Sequence, residues 1–504
     1  MPESLTRQNE AELAADYFFP ETRKKKRLAR TYGLASNAEV EGKTLKQQLA
    51  AAPPPSATPL PEVLTAVNPF STFSLNVSDV SFQLARAALD QGRLPDPARI
   101  RSEEFVNAFD YHDPEPPPGR RVGLTWERAR FPFAHHREVL RLALKTAAEG
   151  RAAGRPLNLV LLLDRSGSME RADRVAIVGI ALEVLGRQLR PGDRLSVVTF
   201  SRRAHLWADG VSGEAAQAAL RRVTKIPPEG GTNLEEAMKL AYATAERHFL
   251  PGGVNRVVVL TDGAANLGDV SPTRLRALVE QYRRKGIAFD AFGVGWEGYN
   301  DQLLETLTRH GDGRYAFLNS REAAATGFAQ KLAGALRVAA ADVKVQVEFN
   351  PARVVRHRLV GFQQHRLTKE QFRDNTVDAA ELGAAEAGNA LYLIEPREDG
   401  EGPIGYVRAR YRVPGTNRYA EREWMLDYPG PAPALRDAPA GLRLATAAAV
   451  FAERLARSPY AEGVNLAELE QLARGAAREY PNDPRPAQLV QMIQAARRLP
   501  GFTR

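Results

Sequence analysis

Between residues 157 and 320 the chain alternates short, nearly continuous apolar runs with longer stretches whose apolar residues return every three or four positions. The apolar runs are Leu157–Leu163, Arg194–Phe200, Arg256–Thr261 and Ile287–Val294. Runs of this kind predict strands buried on both faces. The stretches Ala172–Leu189, Leu234–Phe249, Pro272–Arg284 and Asp301–Thr308 have helical spacing, and a further helix is predicted at Arg321–Ala335. Strands alternating with amphipathic helices predict an α/β domain with a doubly wound, mostly parallel sheet.

On both sides the period changes to two. Val122–Glu127 and Val139–Leu144 alternate before this region, and Val343–Phe349, Ala390–Ile394, Gly405–Val413 and Glu423–Tyr428 alternate after it. Alternation predicts strands with one buried face. The simplest arrangement places both sets in one β-sandwich, into which the α/β domain is inserted. Residues 440–498 are rich in Ala and Leu at helical spacing and predict a small helical region. Between 62 and 112, helices are predicted at Ser81–Asp90 and from about Ile100 to Phe109. Residues before 60 read as a polar arm with a short helix near Asn9–Phe18, ending in a linker from Pro53 to Pro61. The expected organisation is an arm and linker at 1–61, a segment at 62–119, a sandwich from 120–154 with 339–430, an α/β domain at 155–338 and a helical region at 431–504.

Composition narrows the function classes. With 504 residues, 44% hydrophobic and 26% charged, the chain is an ordinary globular protein of more than one domain. It has no cysteine, which excludes disulfides, zinc thiolates and thiol nucleophiles. No apolar run reaches the roughly 18 residues of a membrane span. The net charge of +9 is dispersed, apart from the run Arg23–Arg30, which reads as a solvated arm. No nucleic-acid reading motif is present, so no nucleic-acid partner is expected.

The chemistry concentrates where the first α/β strand ends. Asp164-Arg165-Ser166-Gly167-Ser168 follows Leu157–Leu163 directly. That places one carboxylate and two hydroxyls on the loop at the carboxyl edge of the sheet, where open α/β sheets bind ligands. Thr232 lies in Gly230-Gly231-Thr232-Asn233, and Asp262 closes the run Val257–Thr261. Carboxylate and hydroxyl oxygens are hard ligands and suit Mg²⁺ or Mn²⁺.

Asp-x-Ser-x-Ser, then Thr, then Asp, in this order and on these elements, resembles the metal-ion-dependent adhesion site (MIDAS) of von Willebrand factor type A (VWA) domains. The stretches Asn68–Ser74, Leu94-Pro95, Glu103–Asn107, Val343–Pro351, Leu359–Phe362 and Leu455–Ala461 are similar to the bacterial YfbK-type VWA proteins, so the resemblance covers about residues 65–500. The layout also resembles inter-alpha-trypsin inhibitor heavy chains, which set an A domain beside a β-sandwich. One departure is the stretch Leu75–Val80, where that family is rich in Asp. The resemblance implies that Ser166 and Ser168 bind the ion directly and that Thr232 does so in the ligand-bound state. It also implies that Asp164 and Asp262 act through water. Neutral hydroxyls leave the ion most of its charge, so an open position is expected to attract a Glu or Asp from a protein partner.

The rim of that site is expected to include Arg165, Trp296 and Tyr299, with loops at Ser201–His205, Pro227–Gly231, Ala264–Gly268 and Gly295–Tyr299. Because the motif lies on a surface loop, loss of Asp164 is expected to remove the metal and spare the fold. Two rival functions differ in class. A Mg²⁺-dependent hydrolase would need an acid–base partner. Position 166 is Ser, no Gly-x-Ser-x-Gly or Walker A loop surrounds it, and none of the 8 His is placed to serve it, so no enzyme is expected. A scaffold whose metal only stabilises the fold would not need an open coordination position. The resemblance implies the cell envelope, whereas Met1-Pro2-Glu3-Ser4 opens no apolar signal core and leaves the cytoplasm open. Neither the oligomeric state nor the identity of the partner is set by these residues.

Overall fold

The computed structural model describes residues 58–500 and 502, apart from 76, 149–154, 263–270, 296–300, 319, 415 and most of 322–337. The helix expected at Asn9–Phe18, the basic run at 23–30 and most of the helix expected at Arg321–Ala335 lie outside the described residues. In chain order, β1 (Val63–Leu64) and β2 (Phe70–Ser74) precede α1 (Val80–Asp90), α2 (Ser102–Val106), β3 (Val122–Arg130) and β4 (Glu138–Thr146). The α/β segment runs β5 (Leu157–Asp164), α3 (Ala172–Gln188), β6 (Arg194–Phe200), β7 (Ala204–Val211), α4 (Gly213–Val223) and α5 (Leu234–Arg247). It continues with β8 (Val254–Thr261), α6 (Pro272–Arg284), β9 (Ile287–Val294), α7 (Asp301–Arg309) and β10 (Tyr315–Leu318). Then come β11 (Val338–Phe349), β12 (Val354–Val360), β13 (Arg366–Leu367), β14 (Ala380–Gly383), β15 (Ala387–Pro396), β16 (Gly405–Arg412) and β17 (Tyr419–Leu426). Helices α8 (Ala440–Leu455), α9 (Leu466–Ala477) and α10 (Pro484–Arg498) follow.

The α/β sheet has the order β10-β9-β8-β5-β6-β7 and is parallel except for β7, which returns antiparallel to β6. β5 is central and wholly buried. Leu157, Leu159, Leu161 and Leu163 pack on one face with Ile177 and Leu182 of α3 and Leu220 of α4. Val160 and Leu162 pack on the other with Met238 of α5, Val279 of α6 and Leu304 of α7. From β5 the chain crosses through α3 to β6, whereas β8 is reached through α5 on the opposite face and leads away to β9. The carboxyl ends of β5 and β8 therefore flank a topological switch point.

The strands on either side of this sheet form a sandwich, with the α/β domain inserted between β4 and β11. One sheet is β1-β12-β15-β4-β3 and the other β13-β2-β11-β16-β17, with β14 also paired to β11. Leu140, Leu142, Tyr392 and Ile394 from the first sheet meet Val345, Val347, Val407 and Tyr411 from the second. The segment before residue 120 contributes more than helices. β1 pairs with β12 and β2 with β11, so strands of the segment assigned to 62–119 complete both sheets of the sandwich assigned to 120–154 and 339–430.

A layer of helices covers the outer face of the first sheet. Phe82, Phe105 and Phe109 of the N-terminal segment share one core with Leu442, Phe451, Leu489 and Ile493 of α8 and α10, over Val139, Leu391 and Leu393. The helix expected from Ile100 to Phe109 is shorter, at Ser102–Val106. Asn107 ends it: its Nδ2 donates to Glu103 O at 2.9 Å and to Asn389 O at 3.0 Å, which ties the helix end to β15. Among the described residues no helix is long and apolar enough to cross a membrane.

A candidate metal centre at the carboxyl edge

Asp164 is the last residue of β5 and is buried, with 1% of its surface exposed. Its two oxygens are each held. Ser166 N donates to Oδ1 at 2.8 Å, and Thr261 Oγ1, from the end of β8, donates to Oδ2 at 2.5 Å. Burial raises the Asp164 carboxyl to about pH 6. The Thr261 and Ser166 hydrogen bonds oppose that rise, and the nearby Asp262 carboxylate adds to it.

The loop that follows turns through a 3₁₀ segment at Gly167–Glu170. Met169 is buried in the core beneath it and anchors the turn, so Ser166 and Ser168 lie side by side with their hydroxyls 3.1 Å apart. Ser166 is buried and Ser168 exposed, which makes this edge the open side of the pair.

Thr232 is brought to this loop by backbone pinning. Arg165 N donates to Phe200 O at 2.7 Å, and Glu229 N donates to Arg165 O at 2.7 Å. Ser166 and Glu229 form an isolated parallel bridge. Asn233 N donates to Ser201 O at 2.7 Å, and the Asn233 side chain caps α5 by accepting from Glu236 N at 3.2 Å. The 229–233 loop is thus clamped between the 165 and 201 loops, and Thr232 is buried within it. Asp262 follows Thr261 at the end of β8 and is buried.

Two groups here escaped the sequence reading. Arg174, in the first turn of α3, is buried, forms an ion pair with Asp262 Oδ2 and donates to Ser168 O at 2.9 Å. At sequence level it is one of two arginines on an amphipathic helix. The second is Glu229, an exposed acid whose Oε2 accepts from Ser201 Oγ at 3.0 Å.

Of the expected rim, Arg165 is half-buried on the motif loop, and burial depresses its pKa. Trp296 and Tyr299 lie outside the described residues, as does the 264–268 loop.

The donors fit a hard divalent ion. Asp164, Ser166, Ser168, Thr232 and Asp262 offer oxygen alone, and only two of them are carboxylates. Among the described residues no group of three or more His, Cys, Asp and Glu side chains is gathered as a metal cluster. The hydroxyl-dominated set suits Mg²⁺ or Mn²⁺ and disfavours softer ions.

Residues 158–331 match the family model for the von Willebrand factor type A domain, 334–499 that for the C-terminal region of YfbK, and 59–141 one described as von Willebrand factor. The chain is 28% identical to Escherichia coli (strain K12) YfbK over 458 residues, 86% of this chain and 78% of that protein. It is also 28% identical to human inter-alpha-trypsin inhibitor heavy chain H2 over 166 residues, 31% of this chain and 17% of that one. A solved structure of von Willebrand factor type A from Catenulispora acidiphila covers 71% of this chain and 88% of its own length, at 16% identity and a TM-score of 0.45. Type A domains are typically protein-interaction modules.

Proposed function

Because this chain is a YfbK-like protein carrying a von Willebrand factor type A domain, we propose that it binds a protein partner through a divalent metal at the carboxyl edge of its parallel sheet. Ser166, Ser168 and Thr232 would hold Mg²⁺ or Mn²⁺, with Asp164 and Asp262 orienting the hydroxyls and water around it. When bound, the ion supplies a Lewis-acidic position that accepts a Glu or Asp carboxylate from the partner. The observation that carries the reading is the clamping together of these loops and strand ends. The Glu229–Arg165, Asn233–Ser201 and Thr261–Asp164 hydrogen bonds draw four separate stretches of chain, at 164–165, 201, 229–233 and 261, to one edge.

The protein's own contribution is preorganisation. Asp164 is fixed at both oxygens, Met169 holds the serine loop down, and the cap at Asn233 fixes the start of α5 behind Thr232. A single carboxylate contact is weak, and the surface around it must supply the remaining affinity. Arg165 and Arg202 flank the 229–230 loop, and Arg202 Nε is held on Gly230 O at 2.9 Å. They favour an acidic partner surface. Among the described residues the Asp164 and Asp262 carboxylates are committed to Thr261, Ser166 and Arg174, which disfavours either as a catalytic acid or base.

The test uses Mn²⁺ calorimetry and an array of peptides each carrying one Asp or Glu. Wild-type protein is expected to bind one Mn²⁺ per chain, Ser168→Ala none. Peptide capture is expected to need the metal and to be lost in EDTA. Thr232→Ala is expected to keep the metal and weaken capture. Equal Mn²⁺ binding by wild type and Ser168→Ala, or peptide capture unchanged by EDTA, would overturn the proposal. In the latter case the protein is a scaffold in which any metal only supports the fold.

A further inference from the structure

The proposed site contains a cation of its own. Arg174 is 3% exposed, and its Nη1 both pairs with Asp262 Oδ2 and donates to Ser168 O at 2.9 Å. One guanidinium therefore ties the serine loop after β5 to the acid after β8. The end of β9 is shaped to admit it. Gly295 has a φ of +74°, and a Cβ there would stand 2.6 Å from Arg174 Nε. A buried charge in this position acts through little solvent, so screening weakens it far less than it weakens the exposed arginines of the rim.

We infer that Arg174 sets the ligand specificity of the proposed site, by giving the metal-loaded site a net positive charge that one incoming carboxylate neutralises. This rests on the metal-dependent reading above. Among the buried groups, two carboxylates, Asp164 and Asp262, and one guanidinium leave a single negative charge, and the exposed Glu229 and half-buried Arg165 offset each other. A divalent ion turns that into a single positive charge, and a partner carboxylate brings the total to zero. With a neutral residue at 174, the loaded site would be neutral. It would hold the metal more tightly and have no residual charge to recruit an anion. Arg174 is thus a positioning residue for the two loops and also the group that shifts the site from holding a metal towards using it. Sequence alone points to the metal ligands but not to this balance, because Arg174 meets Asp262 only through the β5–β8 pairing.

The experiment uses the full chain at pH 8, with folding checked by circular dichroism. Mn²⁺ affinity is measured by calorimetry. Affinity for an Asp-containing peptide selected from the array is measured by fluorescence anisotropy at saturating Mn²⁺. Arg174→Gln is expected to bind Mn²⁺ roughly tenfold more tightly and the peptide roughly tenfold more weakly. Arg174→Lys, which keeps the charge, is expected to stay within about threefold of wild type in both. Asp262→Asn adds one positive charge to the loaded site and is expected to do the reverse, weakening Mn²⁺ and tightening the peptide at saturation. That variant keeps the test open if Arg174→Gln does not fold. If metal and peptide affinity weaken together in both the Gln and Lys variants, or neither moves in Gln, Arg174 is only a structural tie and the inference fails. If wild-type protein shows no metal-dependent peptide binding at all, the failure belongs to the proposed function.

Discussion

Asp164 shows how burial changes what a residue's loss should do. The motif reads as a surface loop, yet only its outer part, Gly167 and Ser168, is exposed. Asp164 accepts from Thr261 and from the Ser166 backbone inside the fold. Asp164→Ala is therefore expected to abolish Mn²⁺ binding and also to cost about 1–3 kcal/mol, because two buried donors lose their acceptor. Ser168→Ala should leave the melting temperature almost unmoved, and scanning calorimetry of both separates the two effects. Glu103 gives a pH prediction. It is fully buried beside Glu104, and desolvation raises its carboxyl to about 7. A carboxyl raised on folding is protonated in the native state, so its stabilising contribution is complete below about 4.5 and is lost as pH rises through 7. Glu103→Gln should match wild type near pH 4.5 and be more stable at pH 8, by up to about 3 kcal/mol. Denaturant melts at the two pH values check this, and equal differences at both would refute the assignment.

At the scale of elements, the predicted apolar strands and amphipathic helices that lie among the described residues fall where their periodicity predicts, but β7, α4 and β12 are not predicted, and β7 takes in part of the loop expected at Ser201–His205. The other failures are short or depend on context. β10, four residues long, exists because it completes the sheet beside β9. Its entry turn depends on Gly313, where a Cβ would fall on the Phe289 carbonyl of β9. Gly313→Ala is expected to push β10 from its neighbour and destabilise by about 3 kcal/mol. Gly463→Ala, with nothing within 4 Å, should change stability by no more than about 0.5 kcal/mol. β2 is similar. Phe70–Ser74 does not alternate apolar with polar residues, and its partner β11 lies far along the chain.

Across the whole molecule, buried ion pairs join the layers. Arg358 of β12 is buried and makes two hydrogen bonds to Glu453 of α8, at 2.6 and 3.0 Å, with its guanidinium 3.9 Å from the Tyr460 ring. This fastens the helical layer to the sandwich. Arg358→Met leaves the Glu453 carboxylate buried without its partner and is expected to cost about 3–5 kcal/mol. Pairing it with Glu453→Gln should recover much of that loss, and a double-mutant cycle by urea melts reads the difference. At the amino edge of the α/β sheet, Arg256 pairs with Asp290 at 2.6 Å. From there Arg314–Glu386 and Arg412–Asp312 run across to the sandwich. These contacts lie at the end of the sheet opposite the candidate metal site.

What the chain determined unaided is what local periodicity and fixed spacing encode. The continuous run at Leu157–Leu163, the helical repeats after it and the alternation on both flanks sufficed for an α/β domain set into a sandwich. The order Asp164, Ser166, Ser168, Thr232, Asp262 sufficed to name the candidate site. Pairing across long separations was left to tertiary structure. β1 and β2 became sandwich strands, and the two helical segments fused into one layer, because apolar faces find partners that no local window contains. Arg174 joined Asp262, and Glu229 reached Ser166, for the same reason. Local propensity is set by a residue's chain neighbours, whereas the charge and hydrogen bonding of a buried group are set by whatever the fold packs against it.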